Sequence, residues 1–144
     1  MFLVEYSHGR ALCTDRIEAS KALKITTQIG STVPLFKGAS GKSIAAHLGE
    51  SERSQVLRIQ QEIYGEAYNG KMLHGEFLQI RQSGFACTRG EVDEGVTAFS
   101  VPLITEKGQV LGSISIAGPS IRFTDSVIEA LQEQMVQQIR DIEW

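Results

Sequence analysis

The sequence predicts an α+β domain built on one antiparallel sheet. Three observations lead to this prediction: short alternating segments open the chain, helical periodicities fill its middle, and a long β-hairpin precedes one last helix. Strands that are grouped in this way, rather than alternating with helices, are typical of an antiparallel sheet. With 144 residues, the chain has the length of a single domain.

The first part of the chain shows the period of two that strands produce. We expect strands over residues 2–6, 11–17 and 22–27, with a polar turn after each of the first two. Residues 30–34 contain a glycine and a proline, and we expect them to form a loop.

The middle of the chain changes to helical spacing. One helix is expected to begin in the run G-A-S-G-K-S at 38–43, a second covers residues 50–64, and a third covers residues 72–83. A last helix is expected from Val127 to about Ile142, after three candidate N-cap residues. Its apolar stripe predicts that it packs on an apolar surface.

A β-hairpin over residues 96–117 organises the prediction. Its two alternating runs, 96–104 and 110–117, are joined by a polar turn. One face of the pair carries large apolar side chains. The other face carries only small ones, which are Ala98, Ser100, Ser113, Ser115 and Ala117. Small side chains leave volume that either a ligand or a closely packed helix can fill, and the pattern alone does not distinguish these two cases.

Composition excludes several classes of function. The net charge is -3 and the basic residues do not cluster, so we expect this chain itself not to bind nucleic acid. Its two cysteines, Cys13 and Cys87, fit neither a metal-binding spacing nor a disulfide framework. No apolar run reaches the ~18 residues of a membrane span. These features are typical of a cytoplasmic protein, and we expect no metal, no other cofactor and no membrane partner.

The run G-A-S-G-K-S is similar to the end of a phosphate-binding loop. That motif needs a glycine where Phe36 stands, so an ATP site is not expected. The start of a helix still exposes backbone N–H groups, and its dipole favours an anion. We therefore expect that a ligand carboxylate can bind at residues 38–41.

Few side chains suit catalysis, and we expect no catalytic residue. Nothing in the sequence places any of the three histidines beside a nucleophile or an orienting carboxylate. Cys87, with Arg89 two residues further on, is the best candidate for a reactive thiol, although a buried structural cysteine is the commoner role. The charged residues 91–94 fit either a solvated loop or a rim that closes over a ligand.

Three stretches of the chain carry a resemblance to a known family. They are I-G-S-T-V-P-L-F-K-G-A-S-G-K-S-I-A-A-H-L (29–48), I-R-Q-S-G-F-A-C-T-R-G-E-V-D-E-G-V (80–96) and V-P-L-I-T-E-K-G-Q-V-L-G-S-I-S-I-A-G-P (101–119). Together and in this order, they resemble the effector-binding domain of the IclR family of bacterial transcription regulators.

The resemblance implies a GAF-like α+β fold, with a central antiparallel sheet and helices on both sides, forming one effector-binding domain over residues 1–144. It implies a small organic effector, often a carboxylic or aromatic acid. It also implies an upstream winged helix-turn-helix domain that this chain lacks, so DNA would be a partner only through that missing domain. Family members are typically dimers or tetramers, and we therefore expect self-association.

The resemblance also implies the pocket. Matched by position, its residues are Ile25, Val33, Ala39, Ser40, Thr88, Ala98, Ser115 and Ala117. The chain departs from its relatives at Thr88 and Arg89, where they usually carry acidic residues, and at Ala117, where they often carry serine. We expect an acid between the helix start at Ala39 and Ser40 and the floor at Ser115, with hydrogen bonds from both serines.

A second hypothesis stays open at this stage, namely a free-standing GAF-like enzyme or redox sensor that uses Cys87. For the pocket, we expect Ser115→Leu to remove ligand binding by bulk alone. If the small face only serves packing, the same change overpacks the core at a cost of about 1–3 kcal/mol.

Overall fold

The computed structural model describes residues 1–17, 27–65 and 68–142. Its strands are β1 (Phe2–Ser7), β2 (Arg10–Arg16), β3 (Thr32–Val33), β4 (Ala86–Arg89), β5 (Val96–Ile104) and β6 (Val110–Pro119). Its helices are α1 (Ala39–Ala45), α2 (Glu50–Tyr64), α3 (Gly70–Ser83), α4 (Asp125–Leu131) and α5 (Gln137–Arg140). A π-helical turn, Gln132–Val136, joins α4 to α5, and the three together are called the C-terminal helix below.

The described strands form one antiparallel sheet in the order β3-β2-β1-β6-β5-β4. The prediction of an α+β domain on such a sheet is confirmed. The longest pairing is between β5 and β6, and β1 pairs with the other edge of β6 at the centre of the sheet. The first strand of the chain therefore lies beside the last one, which the order of elements in the sequence does not indicate.

Two clusters of buried apolar side chains lie on opposite faces of the sheet. One joins the sheet to α1, α2 and α3 through residues such as Val4, Ile44 and Phe77. The other joins Phe99 and Val101 of β5 to the C-terminal helix. Helices thus cover both faces, as expected. The apolar stripe of the last helix is used inside this chain, because Ile128, Leu131, Met135 and Ile139 pack in the second cluster.

The prediction that the small side chains of the hairpin share one face is confirmed. Across β5 and β6, Ala98 stands opposite Ala117 and Ser100 stands opposite Ser115. Because side chains alternate between faces, the large residue Phe99 points to the C-terminal helix while its small neighbours point to α1. The hairpin therefore leaves its open side next to the start of α1.

Two predictions for the first part of the chain need comment. Residues 30–34 were expected to be a loop, but Thr32 and Val33 form β3 and pair with Leu12 and Ala11. Two residues are too few to show an alternating pattern, so this strand cannot be recognised from periodicity. The strand expected over 22–27 falls mostly outside the described residues. No helix in the described ranges is long and apolar enough to cross a membrane.

Candidate functional site

A cavity of about 240 Å³ lies between the start of α1, the small face of the β5–β6 hairpin, β3 and the loop at residues 90–95. Its wall combines apolar side chains with hydroxyl groups, as small-molecule sites commonly do. The apolar part comes from Phe2, Val33, Pro34, Val92, Val96 and the alanines of the hairpin.

Seven of the eight residues predicted for the pocket line this one cavity. They are Val33, Ala39, Ser40, Thr88, Ala98, Ser115 and Ala117. The eighth, Ile25, lies outside the described residues. Because the seven come from five different elements, their convergence is a property of the tertiary fold and not of one stretch of sequence.

Two glycines set the position of α1 against the cavity. Gly38 precedes the helix with φ of 85°, and a Cβ there would stand 2.7 Å from a methyl group of Val92 in the cavity wall. At Gly41, a Cβ would stand only 1.7 Å from the carbonyl oxygen of Pro34. The helix therefore lies against the preceding loop more closely than any side chain allows, and this brings Ser40 to the hairpin.

Four serines connect α1 to the floor of the cavity. Ser40 Oγ is 2.6 Å from Ser115 Oγ, Ser115 donates to Ser100 Oγ at 2.8 Å, and Ser100 Oγ is 2.9 Å from Ser43 Oγ. Ser43 donates to the carbonyl of Ser40 at 3.0 Å. The sequence led us to expect that Ser40 and Ser115 donate to a ligand, whereas here both hydroxyls take part in contacts with other serines.

The end of the cavity beside α1 already holds a carboxylate of the protein. Glu91 Oε1 accepts the N–H of Gly38 at 3.1 Å and lies 2.7 Å from Lys42 Nζ. Lys42 is only 4% exposed, and Glu76 of α3 is its second carboxylate partner. An anion was expected near residues 38–41, and the side chain of Glu91 occupies that position.

The remaining polar groups of the wall differ in their charge. Lys37 brings a positive charge and Asp93 a negative one. Thr88 is buried, and within the described parts of the chain its hydroxyl has no hydrogen-bond partner. Since its hydroxyl oxygen is not sealed off from the open space, Thr88 offers the wall a hydroxyl for a ligand.

Several cavity residues were not predicted. Phe2 lies in the wall because β1 pairs with β6 and brings Phe2 opposite Ser115. Glu91, Val92 and Asp93 belong to the charged loop for which a rim over a ligand was one of two alternatives, and these three side chains do line the cavity. Lys37 gave no signal in the sequence beyond standing next to the glycine before α1.

The structure does not favour a reactive thiol. Burial raises the pKa of Cys87, which the nearby charge of Arg89 offsets only in part. The guanidinium of Arg89 donates instead to the carbonyl of Phe123 at 3.1 Å. Cys87 lies in a neighbouring groove and is not among the residues that line the cavity. A thiol with a raised pKa is a poor nucleophile at neutral pH.

Among the described residues, the histidine and acidic side chains form no metal centre either. His47 is largely buried, and its Nδ1 contacts the carbonyl of Ser43 at 2.8 Å. Burial lowers the pKa of His47, with smaller contributions from the charges of Arg81 and Arg140. Across the described ranges, no group of three or more His, Cys, Asp or Glu side chains is arranged to hold a metal ion.

Comparison with known proteins gives one consistent result. The family described as "Bacterial transcriptional regulator IclR C-terminal" matches residues 3–144. Among curated proteins, the chain is 26% identical over 136 residues to the HTH-type transcriptional regulator KipR of Bacillus subtilis, covering 92% of this chain and 54% of that protein. It is 30% identical over 113 residues to the probable transcriptional regulator SauR of Cupriavidus necator, covering 76% and 45%. The chain thus spans about half the length of these relatives.

Solved structures agree with this match. The C-terminal domain of a putative transcriptional regulator from Vibrio cholerae has a TM-score of 0.81 at 28% identity, covering 98% of this chain and 83% of that one. The Thermotoga maritima IclR structure has a TM-score of 0.80 at 25% identity, covering 96% and 57%. The related proteins are named as regulators and repressors of transcription, and not as enzymes.

Proposed function

The chain belongs to the C-terminal domain family of the bacterial IclR transcriptional regulators, and from this premise we propose that its cavity binds the small-molecule effector of such a regulator. The observation that carries the proposal is the convergence of Val33, Ala39, Ser40, Thr88, Ala98, Ser115 and Ala117 on one cavity. The family resemblance implies these seven positions, and they come from five different elements of the fold.

We propose further that the effector is an organic acid, most simply a carboxylic acid. One contact of Glu91 supports this choice, because the backbone N–H of Gly38 that it accepts belongs to the cavity wall and suits a ligand carboxylate equally well. Lys37 adds a positive charge to the wall. The apolar part of the wall suits a short hydrocarbon or aromatic body.

A screen of matched acids and amides tests this assignment. At a concentration of 100 times its Kd, a ligand that binds only the folded state adds about 2.7 kcal/mol to the free energy of unfolding. We expect at least one acid to raise the melting temperature of the domain, and its neutral amide to have a smaller effect. Stabilisation by amides alone would contradict the proposal that the effector is an acid, but not the proposal that the cavity binds the effector. Stabilisation by neither class would contradict the function.

We propose that any DNA contact of the whole protein is made by a separate winged helix domain, as the resemblance implies. The net charge of -3 supports this, because DNA affinity depends on lysine and arginine side chains that neutralise phosphates. In gel-shift experiments, this chain alone is expected not to retard duplex DNA. A salt-sensitive shift with the isolated chain would contradict the proposal.

We propose that the domain self-associates. The support is narrower than the sequence indicated, because the stripe of the C-terminal helix packs inside the chain. Ile121 is 88% exposed and Ile142 is 48% exposed, and they are two of the exposed apolar side chains that a partner copy could cover. Sedimentation at tens of micromolar is expected to show a dimer or tetramer. A clean monomer that persists at higher concentration would contradict this.

A further inference from the structure

The four serines form a closed ring that starts and ends at Ser40. Ser43, Ser100 and Ser115 are fully buried, and each hydroxyl lies within hydrogen-bonding distance of the next. Ser40 and Ser115 line the cavity, whereas Ser43 and Ser100 are not part of its wall. The ring therefore joins the wall of the cavity to two residues that do not line it.

The direction of each hydrogen bond follows from counting hydrogens, because a serine hydroxyl has only one to donate. Ser115 donates to Ser100, so Ser40 has to be the donor in the 2.6 Å contact between Ser40 and Ser115. Ser43 donates to the carbonyl of Ser40, so Ser100 donates to Ser43 at 2.9 Å. The other acceptor within reach of Ser100, the carbonyl of Ile114, is more distant at 3.4 Å.

This direction decides what the cavity offers to a ligand. The hydrogen of Ser40 points to Ser115, so that the side of Ser40 Oγ that faces the cavity presents only lone pairs. A ligand hydroxyl can donate to it without disturbing the ring. A ligand oxygen without a hydrogen can accept only the hydrogen of Ser40, and Ser40 then gives up its hydrogen bond to Ser115 unless Ser115 in turn gives up its bond to Ser100.

We propose, building on the proposed function, that the effector is a hydroxy acid whose hydroxyl donates to Ser40, and that Ser100 sets this preference from outside the cavity. Ser100 is a positioning residue, because it holds the hydrogen of Ser115 and thereby turns the hydrogen of Ser40 inward. One additional hydrogen bond corresponds to a preference of about two- to tenfold for a hydroxyl over a carbonyl at this point.

The variant Ser100→Ala tests the positioning role of Ser100 most directly. Without Ser100, the hydrogen of Ser115 turns to Ser40, and the hydrogen of Ser40 becomes free to face the cavity. Every remaining hydroxyl keeps a partner, so the domain is expected to fold. The matched control is Ser113→Ala. Ser113 is also a buried serine and donates to the carbonyl of Ser40 at 3.2 Å, but it is not part of the ring.

The probes are 2-hydroxybutanoate and 2-oxobutanoate, which share a carbon skeleton and differ at C2, where the hydroxyl can donate and accept a hydrogen bond and the keto oxygen can only accept one. Calorimetric titration of the parent domain is expected to give a two- to tenfold preference for the hydroxy acid. Ser100→Ala is expected to abolish or reverse that preference, and Ser113→Ala to retain it. Equal binding of both acids by the parent, or an unchanged preference in Ser100→Ala, would overturn the inference while leaving the effector cavity intact.

If neither acid binds, the proposed function fails for this class of acid, and neutron diffraction from the deuterated, ligand-free domain decides the inference separately. We expect the deuterium on Ser40 Oγ to point toward Ser115 and the one on Ser115 toward Ser100. A deuterium on Ser40 that points into the cavity would overturn the proposed direction of the ring.

Discussion

Replacing Ala117 by leucine tests whether the small face of the hairpin borders an open volume. Ala117 and Ser115 both line the cavity, but Ser115 is fully buried and its hydroxyl is bonded within the serine ring. A leucine at position 115 would remove the hydrogen bonds of the ring and also add volume, so the two effects could not be separated. Ala117 has no hydroxyl to lose, so Ala117→Leu changes volume alone.

The magnitude follows from the three carbon atoms that the leucine adds. At about 0.8 kcal/mol for each buried CH₂, filling an open cavity contributes up to about 2 kcal/mol to the free energy of unfolding. For a domain near this size, that corresponds to a rise of roughly 4–8 °C in the melting temperature. The same side chain occupies the space of the ligand, so the stabilising effect of any effector on this variant is expected to vanish.

Ala45→Leu is the matched control. Ala45 is fully buried in α1 and belongs to the packed core, so the larger side chain is expected to cost about 1–3 kcal/mol. Differential scanning fluorimetry of both variants, with and without ligand, gives the comparison. If Ala117→Leu lowers the melting temperature as much as Ala45→Leu does, the small face is filled by packing and our argument for a cavity is refuted.

Three further predictions concern single groups. Burial lowers the pKa of His47 below its usual 6.5, so at acidic pH the unfolded chain binds a proton that the folded chain does not. The free energy of unfolding is therefore expected to fall as the pH drops below about 6.5. Urea titrations of His47→Gln should show a weaker fall. Burial raises the pKa of Cys87, so a thiol reagent at pH 7 is expected to label it more slowly in the folded Cys13→Ser variant than in the same chain in urea; equal rates would support a reactive thiol. Glu91→Gln removes a negative charge from the cavity wall, so titration should show severalfold tighter binding of an acid and no change for its amide; weaker binding of the acid would contradict an anionic effector.

The helices and the central hairpin could be predicted because their signals are local. The alternation along β5 and β6 alone places Ala98, Ser115 and Ala117 on one face, and the structure keeps them there. Gly65 and Gly84 end α2 and α3 in the left-handed conformation, which is the ordinary role of glycine after a helix.

The parts that could not be predicted depend on pairings between distant residues. Phe2 enters the cavity wall only because β1 pairs with β6, and no local pattern encodes that neighbour. The strand formed by Thr32 and Val33 has only two residues, which is too short to show the alternation of a strand.

The contacts that define the chemistry of the site are also long-range. Lys42 and Glu91 are 49 positions apart in sequence, and Ser40 and Ser115 are 75 apart. Composition and spacing identified the serines of the small face as candidates. The fold alone determines that they bond to one another, and that Glu91 occupies the place expected for a ligand carboxylate.

The most direct test of the effector cavity is to locate a bound acid by its effect on the backbone amide resonances of the domain. Titration with the acid that stabilises the domain most is expected to shift the amides of Ala39, Ser40, Thr88, Ala98 and Ala117 first and furthest. Shifts that cluster elsewhere, for example around Arg81 and Arg140, with these five amides unchanged, would contradict the assignment of the cavity as the effector site.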